Sequence, residues 1–387
     1  MQVLLSVLLL VAATDAVDQD QGTRGEPEPP RQRAVQSRVP GGAQGLDPKA
    51  QDKELLAEAE RMARAGVLAL VKLQDPRDGS FRLRDAANPA PVAVTALSVL
   101  ALLSAGEVPG RTAHGLAVER GIRYLIDKQD QSGGPRDGYL FFDQDRYSNM
   151  HGHGYAALAL SQALGMLSND PDRALVTRDE VKDALTRAVK LIEHSQEQET
   201  GGWSYDPSPT DHEGSMTICM VQALRAAKDA GIEVDAAVIA RAVRYVERSQ
   251  KPDGSFRYKL GSADSSVALT AAAVATLEAA GDWDDPVLTK GKAWLVDHGL
   301  DAAGRLRRGP SPRFPWYERL YLAQALFFDR DIGPYRRWFT HLVADLARVR
   351  DPATDLWSSE QYSEAYATAM SVLVLSMPLQ YLPVHQR

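Results

Sequence analysis

An all-α fold, a closed ring of six helix pairs, is what the sequence predicts, and three observations predict it. A turn phrase recurs: SQKPDGSF over Ser249 to Phe256, LQDPRDGSF over Leu73 to Phe81, and weaker forms at Lys128 to Gly134 (KQDQSGG) and Ser195 to Asp206 (SQEQETGGWSYD). An amphipathic run at helical spacing precedes each phrase, and an Ala-rich run apolar on nearly its whole circumference follows it. Both ends of the repeated region carry apolar helices without a polar capping repeat, which favours closure over an open solenoid.

In chain order, the outer amphipathic runs are GVLALVKL (Gly66 to Leu73), GIRYLIDK (Gly121 to Lys128), AVKLIEHS (Ala188 to Ser195) and AVRYVERS (Ala242 to Ser249). The inner runs that follow them begin at Thr95, Tyr155, Met216 and Val267, and each ends at a glycine suited to cap a helix C-terminus. The turn glutamines at 74, 129, 196 and 250 mark these four units. Two degenerate units complete the set: Gly291 to Leu306 leads to Tyr317 to Phe328, and Trp338 to Val349 leads to Ser363 to Ser376. Within the turn, Pro252 cannot continue the helix and Asp253-Gly254 supplies turn-forming residues.

Met1 to Ala16 carries an apolar run from Val3 to Ala13 followed by small residues, a signal-like segment that predicts export to a periplasmic or extracellular space with cleavage after Ala16. The run is too short to span a bilayer, so an integral membrane protein is not expected. Residues 17–50 are rich in Pro, Gly, Gln and charge, which reads as a disordered linker, and the toroid occupies residues 51–387. A net charge of -7 with interspersed signs offers no basic footprint for nucleic acid. Cys219 is the single cysteine, so packing alone holds the fold.

A helix, a glutamine, then glycine and an aromatic before a second helix (AVRYVERSQKPDGSF, and AVKLIEHSQEQETGGWSYD with Trp203) resembles the QW repeat of squalene and oxidosqualene cyclases and the related repeat of protein prenyltransferase β subunits, over roughly residues 51–387. The resemblance implies an (α/α)6 toroid with an apolar central pocket, in which the turn glutamine and aromatic tie neighbouring repeats together. The catalytic motifs of these families do not transfer. The D-x-D-D string of the cyclases occurs as Asp282-Trp283-Asp284-Asp285, but it follows the fourth inner helix and reads as a solvated turn and outer-helix cap. At the start of that inner helix only Asp264 remains of the pattern. The zinc set of the prenyltransferases needs an Asp, a Cys and a His, and Thr217 stands two places before Cys219 where the Asp belongs. A hopene-type cyclase needs two such barrels, and this chain has room for one.

Polar residues at the starts of the inner helices converge on one mouth of such a ring. Asp211, Glu213, His151 and Asp264 are the acid–base candidates, and His153, Tyr155, His212, Trp316, Tyr317, Glu318, Tyr362 and Glu364 are the candidates for holding a ligand. The plainer reading of the same residues is capping and pocket lining, because Asp, Ser and His beside Gly are natural helix starts. His151, His153, His212 and Glu213 match no strong metal spacing, so neither metal nor other cofactor is expected. The function predicted is an exported toroid holding an isoprenoid-like or other apolar molecule, or a polypeptide, in its central cavity. The alternative is a non-catalytic envelope scaffold for a peptide, glycan or lipid.

Overall fold

The computed structural model describes residues 50–81, 89–170, 172, 174–280, 285–307 and 314–386. The expected signal segment and nearly all of the expected linker lie outside them. Twelve α-helices stand among the described residues, alternating outer and inner. The outer ones are α1 (Ala50–Leu73), α3 (Gly115–Asp127), α5 (Arg178–His194), α7 (Ala236–Arg248), α9 (Pro286–Trp294, continued by a π-helical turn over Leu295–Gly299) and α11 (Gly333–Val349). The inner ones are α2 (Pro91–Ser104), α4 (Asn149–Leu164), α6 (Gly214–Asp229), α8 (Val267–Ala280), α10 (Pro315–Phe327) and α12 (Glu364–Ser376). The two classes differ as their sequences require: every residue of α2 is buried, whereas α7 buries Val238, Ala242, Tyr245 and Val246 along one stripe.

The inner helices pack in a closed circuit, α2 on α4, α4 on α6, and so on through α12, which returns to α2. Each outer helix leans on the inner helix that precedes it, and α1 leans on α12, so the ring closes on both layers. Alternation makes all six inner helices parallel and gathers their N-termini at one mouth. The fold is the (α/α)6 toroid.

The recurring phrase is the joint between repeats. The side-chain amide of Gln74 donates to Gly79 O in its own turn and to Ala117 O on α3. Gln129 donates in the same way to Gly138 and Ala184, Gln196 to Gly201 and Val238, and Gln250 to Gly254 and Val287. One amide, buried in Gln129 and Gln196 and half-buried in Gln74 and Gln250, therefore satisfies a turn carbonyl and a carbonyl on the next outer helix. Just beyond the turn the chain dives inward, and the amide N–H there is received by an inner-helix hydroxyl: Phe81 by Thr95, Trp203 by Thr217, Phe256 by Thr270 and Trp357 by Thr368. The turn glycines sit at positive φ, and a Cβ on Gly79, Gly138 or Gly201 would lie within 2.5 Å of a carbonyl oxygen on the next outer helix. In the sixth turn Asp355 takes that conformation, with φ of 62°.

Asp285 caps α9, its carboxylate accepting from Val287 N at 2.6 Å. The rest of the D-x-D-D string lies outside the described residues. Asp285→Ala should remove about 1 kcal/mol of stability in urea unfolding, the ordinary value of an N-cap. Among the described residues no helix is long and apolar enough to cross a membrane.

Candidate functional site

Ser215, in the first turn of α6, stands at a hydrogen-bonded crossing of the mouth. Its hydroxyl lies 2.7 Å from Glu213 Oε2 and 3.4 Å from His151 Nε2 on α4, and it also meets the Tyr205 phenol. Glu213 is the N-cap of α6: it accepts from the backbone N–H of Ser215 and Met216, and it is only 3% exposed. Burial raises its pKa against the pull of those three hydrogen bonds. A serine hydroxyl has one proton and two lone pairs. With its proton on Glu213, it accepts from His151, which places the imidazole proton on Nε2 and leaves Nδ1 as the basic nitrogen. Burial pushes His151 down to about 4, so the ring is neutral at physiological pH. Tyr205 continues the line outward, its hydroxyl 2.8 Å from that of Tyr258.

Phenols form the rest of the mouth. Tyr317 on α10 stands 4.5 Å between ring centroids from the deeper Tyr321, and Tyr362 packs 4.9 Å from Tyr366 at the start of α12. His151 lies 5.8 Å from the Tyr205 ring and 6.3 Å from that of Tyr155. The hydroxyl of Tyr317 is buried with no hydrogen-bond partner among the described residues.

Deeper in, the ring is crossed. Tyr155 on α4 and Tyr321 on α10, helices on opposite sides of the circuit, share a hydrogen bond. Tyr321 also donates to Gln222 Oε1 on α6 at 3.2 Å, and the Gln222 amide donates to Gln324 on α10 at 2.9 Å. Tyr155 and Tyr321 each stand about two helical turns below their helix starts, so these side chains form a polar floor about 10 Å below the mouth. The apolar pocket that the resemblance implies is interrupted at this level.

The remaining candidates fall elsewhere. His153 is fully buried away from the mouth: Nδ1 accepts from Leu140 N at 3.1 Å and Nε2 faces Ala188 O at 3.2 Å, so it occupies in the second repeat the place that threonine holds in the first, third, fourth and sixth. Asp211 is exposed and paired with Lys259. His212 bonds the Tyr245 hydroxyl at 3.0 Å. Asp264 and Glu364 are exposed, and Asp264 takes part through its backbone carbonyl, which accepts from Tyr258 N. Trp316 is buried beneath the Arg319 guanidinium, and Glu318 is half-buried with a pKa raised by desolvation. The structure thus brings together His151, Glu213, Tyr155, Tyr317 and Tyr362 of the candidates. It adds Ser215, Tyr205, Tyr321 and Tyr366. Among the described residues no group of three His, Cys, Asp or Glu side chains is placed to hold a metal ion.

No protein-family model matches the chain, and no curated protein does. Solved structures do. The type II terpene cyclase MstE from Scytonema superposes with a TM-score of 0.55 at 16% identity, over 84% of this chain and 99% of its own. A substituted variant of it has been solved with the substrate geranylgeranyl dihydroxybenzoate. The GH76A alpha-1,6-mannanase from Salegentibacter sp. HEL1_6 gives 0.58 at 15% identity, over 82% and 98%. The cellobiose 2-epimerase from Bacillus thermoamylovorans gives 0.62 at 13% identity, over 84% and 99%. At such identities the likeness is one of fold.

Proposed function

We propose that this toroid is an exported enzyme that holds one end of an apolar-bodied, isoprenoid-like ligand in its mouth and moves a proton on it through His151. The observation that carries the reading is the line from Glu213 through Ser215 to His151. A neutral imidazole takes a proton at Nδ1, and the imidazolium so formed is stabilised through its Nε2 proton by Ser215, which rests on a buried carboxylate. The surrounding phenol faces offer an apolar wall that tolerates developing positive charge. The polar floor limits the ligand to a short insertion, so the mouth receives an end of it and not its whole length. Of the fold neighbours, MstE supports an isoprenoid-like body, since its substrate carries a geranylgeranyl chain.

A second reading has its own support. A ring crossed by the Tyr155–Tyr321 and Gln222–Gln324 bonds also suits a non-catalytic envelope scaffold that grips a ligand without turning it over.

Native mass spectrometry of the purified chain separates the two. A co-purifying small molecule, lost on Tyr317→Ala, is the expected result. In D2O that molecule should acquire deuterium or be converted, and His151→Ala should slow this by roughly 100-fold or more while the ligand stays bound. A ligand that stays bound yet is never labelled or altered would leave the scaffold reading standing, and a chain that carries no ligand would sink both.

A further inference from the structure

Beside the mouth, outside the ring, a groove of about 950 Å³ runs between the fifth turn and the C-terminal half of α11. Four arginines line it, Arg305, Arg307, Arg319 and Arg348, in a chain whose net charge is -7. Arg348 pairs with Asp345 at 3.2 Å. The other three make no direct ion pair among the described residues, although Asp301 acts on Arg305, and Asp345 and Glu318 act on Arg319, at longer range. Arg307 spends its Nε proton on Leu300 O, and Arg319 lies half-buried with its guanidinium 4.6 Å from the Trp316 ring. A guanidinium presents five N–H donors in a fork matched to an oxyanion, and one held partly out of water without a direct ion pair has donors that an arriving anion can engage. Burial already lowers the Arg319 pKa.

We propose that this groove binds an oligosaccharide bearing carboxylate or sulfate groups. Its volume far exceeds one oxyanion, and its arginines come from three separate elements, the fifth turn, α10 and α11. Asp301 and Asp345 stand among them. A phosphate-dense polymer is repelled by those carboxylates, whereas a sugar offers an anionic group to each arginine and a hydroxyl donor to each aspartate. Half-buried Leu306 gives an apolar surface for a sugar ring, over a base formed by buried Leu342 and Trp338. The site is independent of the mouth and of the chemistry proposed there.

Isothermal titration calorimetry on the full chain tests it, with a sulfated oligosaccharide and an oligouronate as ligands. A neutral oligosaccharide, an acidic peptide and inorganic sulfate serve as comparisons. The acidic sugars should bind, and affinity should fall about tenfold or more as salt rises from about 50 to about 200 mM. Arg319→Ala should weaken binding at least tenfold, and Arg319→Lys should restore only part of it because lysine lacks the fork. A merely structural arginine would lower the melting temperature when removed; here Arg319→Ala should leave it unchanged or raise it. Failure of both acidic sugars to bind, equal binding of the neutral sugar, preference for the acidic peptide, or unaltered affinity in Arg319→Ala would each overturn the proposal. Binding of inorganic sulfate without either sugar, an adventitious ion only, would overturn it as well.

Discussion

Gly138→Ala should cost the toroid about 4 kcal/mol in equilibrium unfolding, while Gly133→Ala, five residues earlier in the same turn, costs about 1. Both glycines hold positive φ, 87° and 70°, so any L side chain is strained at either. They differ in surroundings. A Cβ at 133 meets nothing within 4 Å, whereas one at 138 lies 2.3 Å from the carbonyl oxygen of Arg187. That oxygen belongs to the backbone of α5, so relief requires the turn and the neighbouring outer helix to separate. Separation in turn pulls the Gln129 amide from Ala184 O, which it reaches at 2.7 Å. Equal costs at the two positions would mean that backbone strain alone accounts for the turn glycine and that the repeats are not in fixed contact there.

His153→Ala should lose about 3 kcal/mol at neutral pH, and much of the loss should disappear in mild acid. The substitution leaves a cavity in the core and strands the Leu140 amide and the Ala188 carbonyl without partners. His153→Thr restores the residue type of four other repeats and the acceptor for Leu140, so it should recover about 1 kcal/mol. The pH dependence follows from the sign of the shift. Burial depresses His153 to about 4, so between about 6.5 and that value the unfolded chain binds a proton that the folded chain refuses. The stabilisation is complete above the unfolded value and is lost as pH falls toward 4, on the order of 3 kcal/mol in all. Both variants should therefore show a flatter stability curve than the parent over that interval. Buried His385, likewise held near 4, contributes equally to all three proteins and cancels in the comparison. A parent and a His153→Thr protein with parallel curves would refute the assignment.

The joints were legible because a repeat writes them several times: the glutamine, the glycine and the aromatic stand at similar offsets, and each does one physical task. Closure was legible from the Ala-rich inner runs, which every neighbour in the circuit buries. His153 was not, since MHGHGY sets two imidazoles two residues apart in the manner of a ligand pair. The pattern that explains it, an inner-helix side chain receiving the amide just beyond the turn, joins Leu140 to a histidine in place of the usual threonine. Ser215 stands at a helix start, where serine is common; nothing local shows that a histidine 64 residues away in the chain comes to its hydroxyl. Gln222 and Gln324, separated by 102 residues, meet only because the ring shuts. Asp211 and Asp264 looked like acids at a mouth, yet both sit on loops long enough to carry their carboxylates out to water.

The return of α12 to α2, with α1 laid against α12, has a thermodynamic corollary. In a linear array of coupled units the terminal members have one neighbour each and melt first, so unfolding enters from the ends and partly melted species accumulate. A chain of units with periodic boundaries has no such entry point. Opening any one unit breaks two interfaces at once, four of the six in the ring being fastened by a glutamine amide, and the remaining five units then become an ordinary array with two exposed ends. The first step is thus the costliest, and thermal or denaturant unfolding of the toroid should approach an all-or-none transition despite its size.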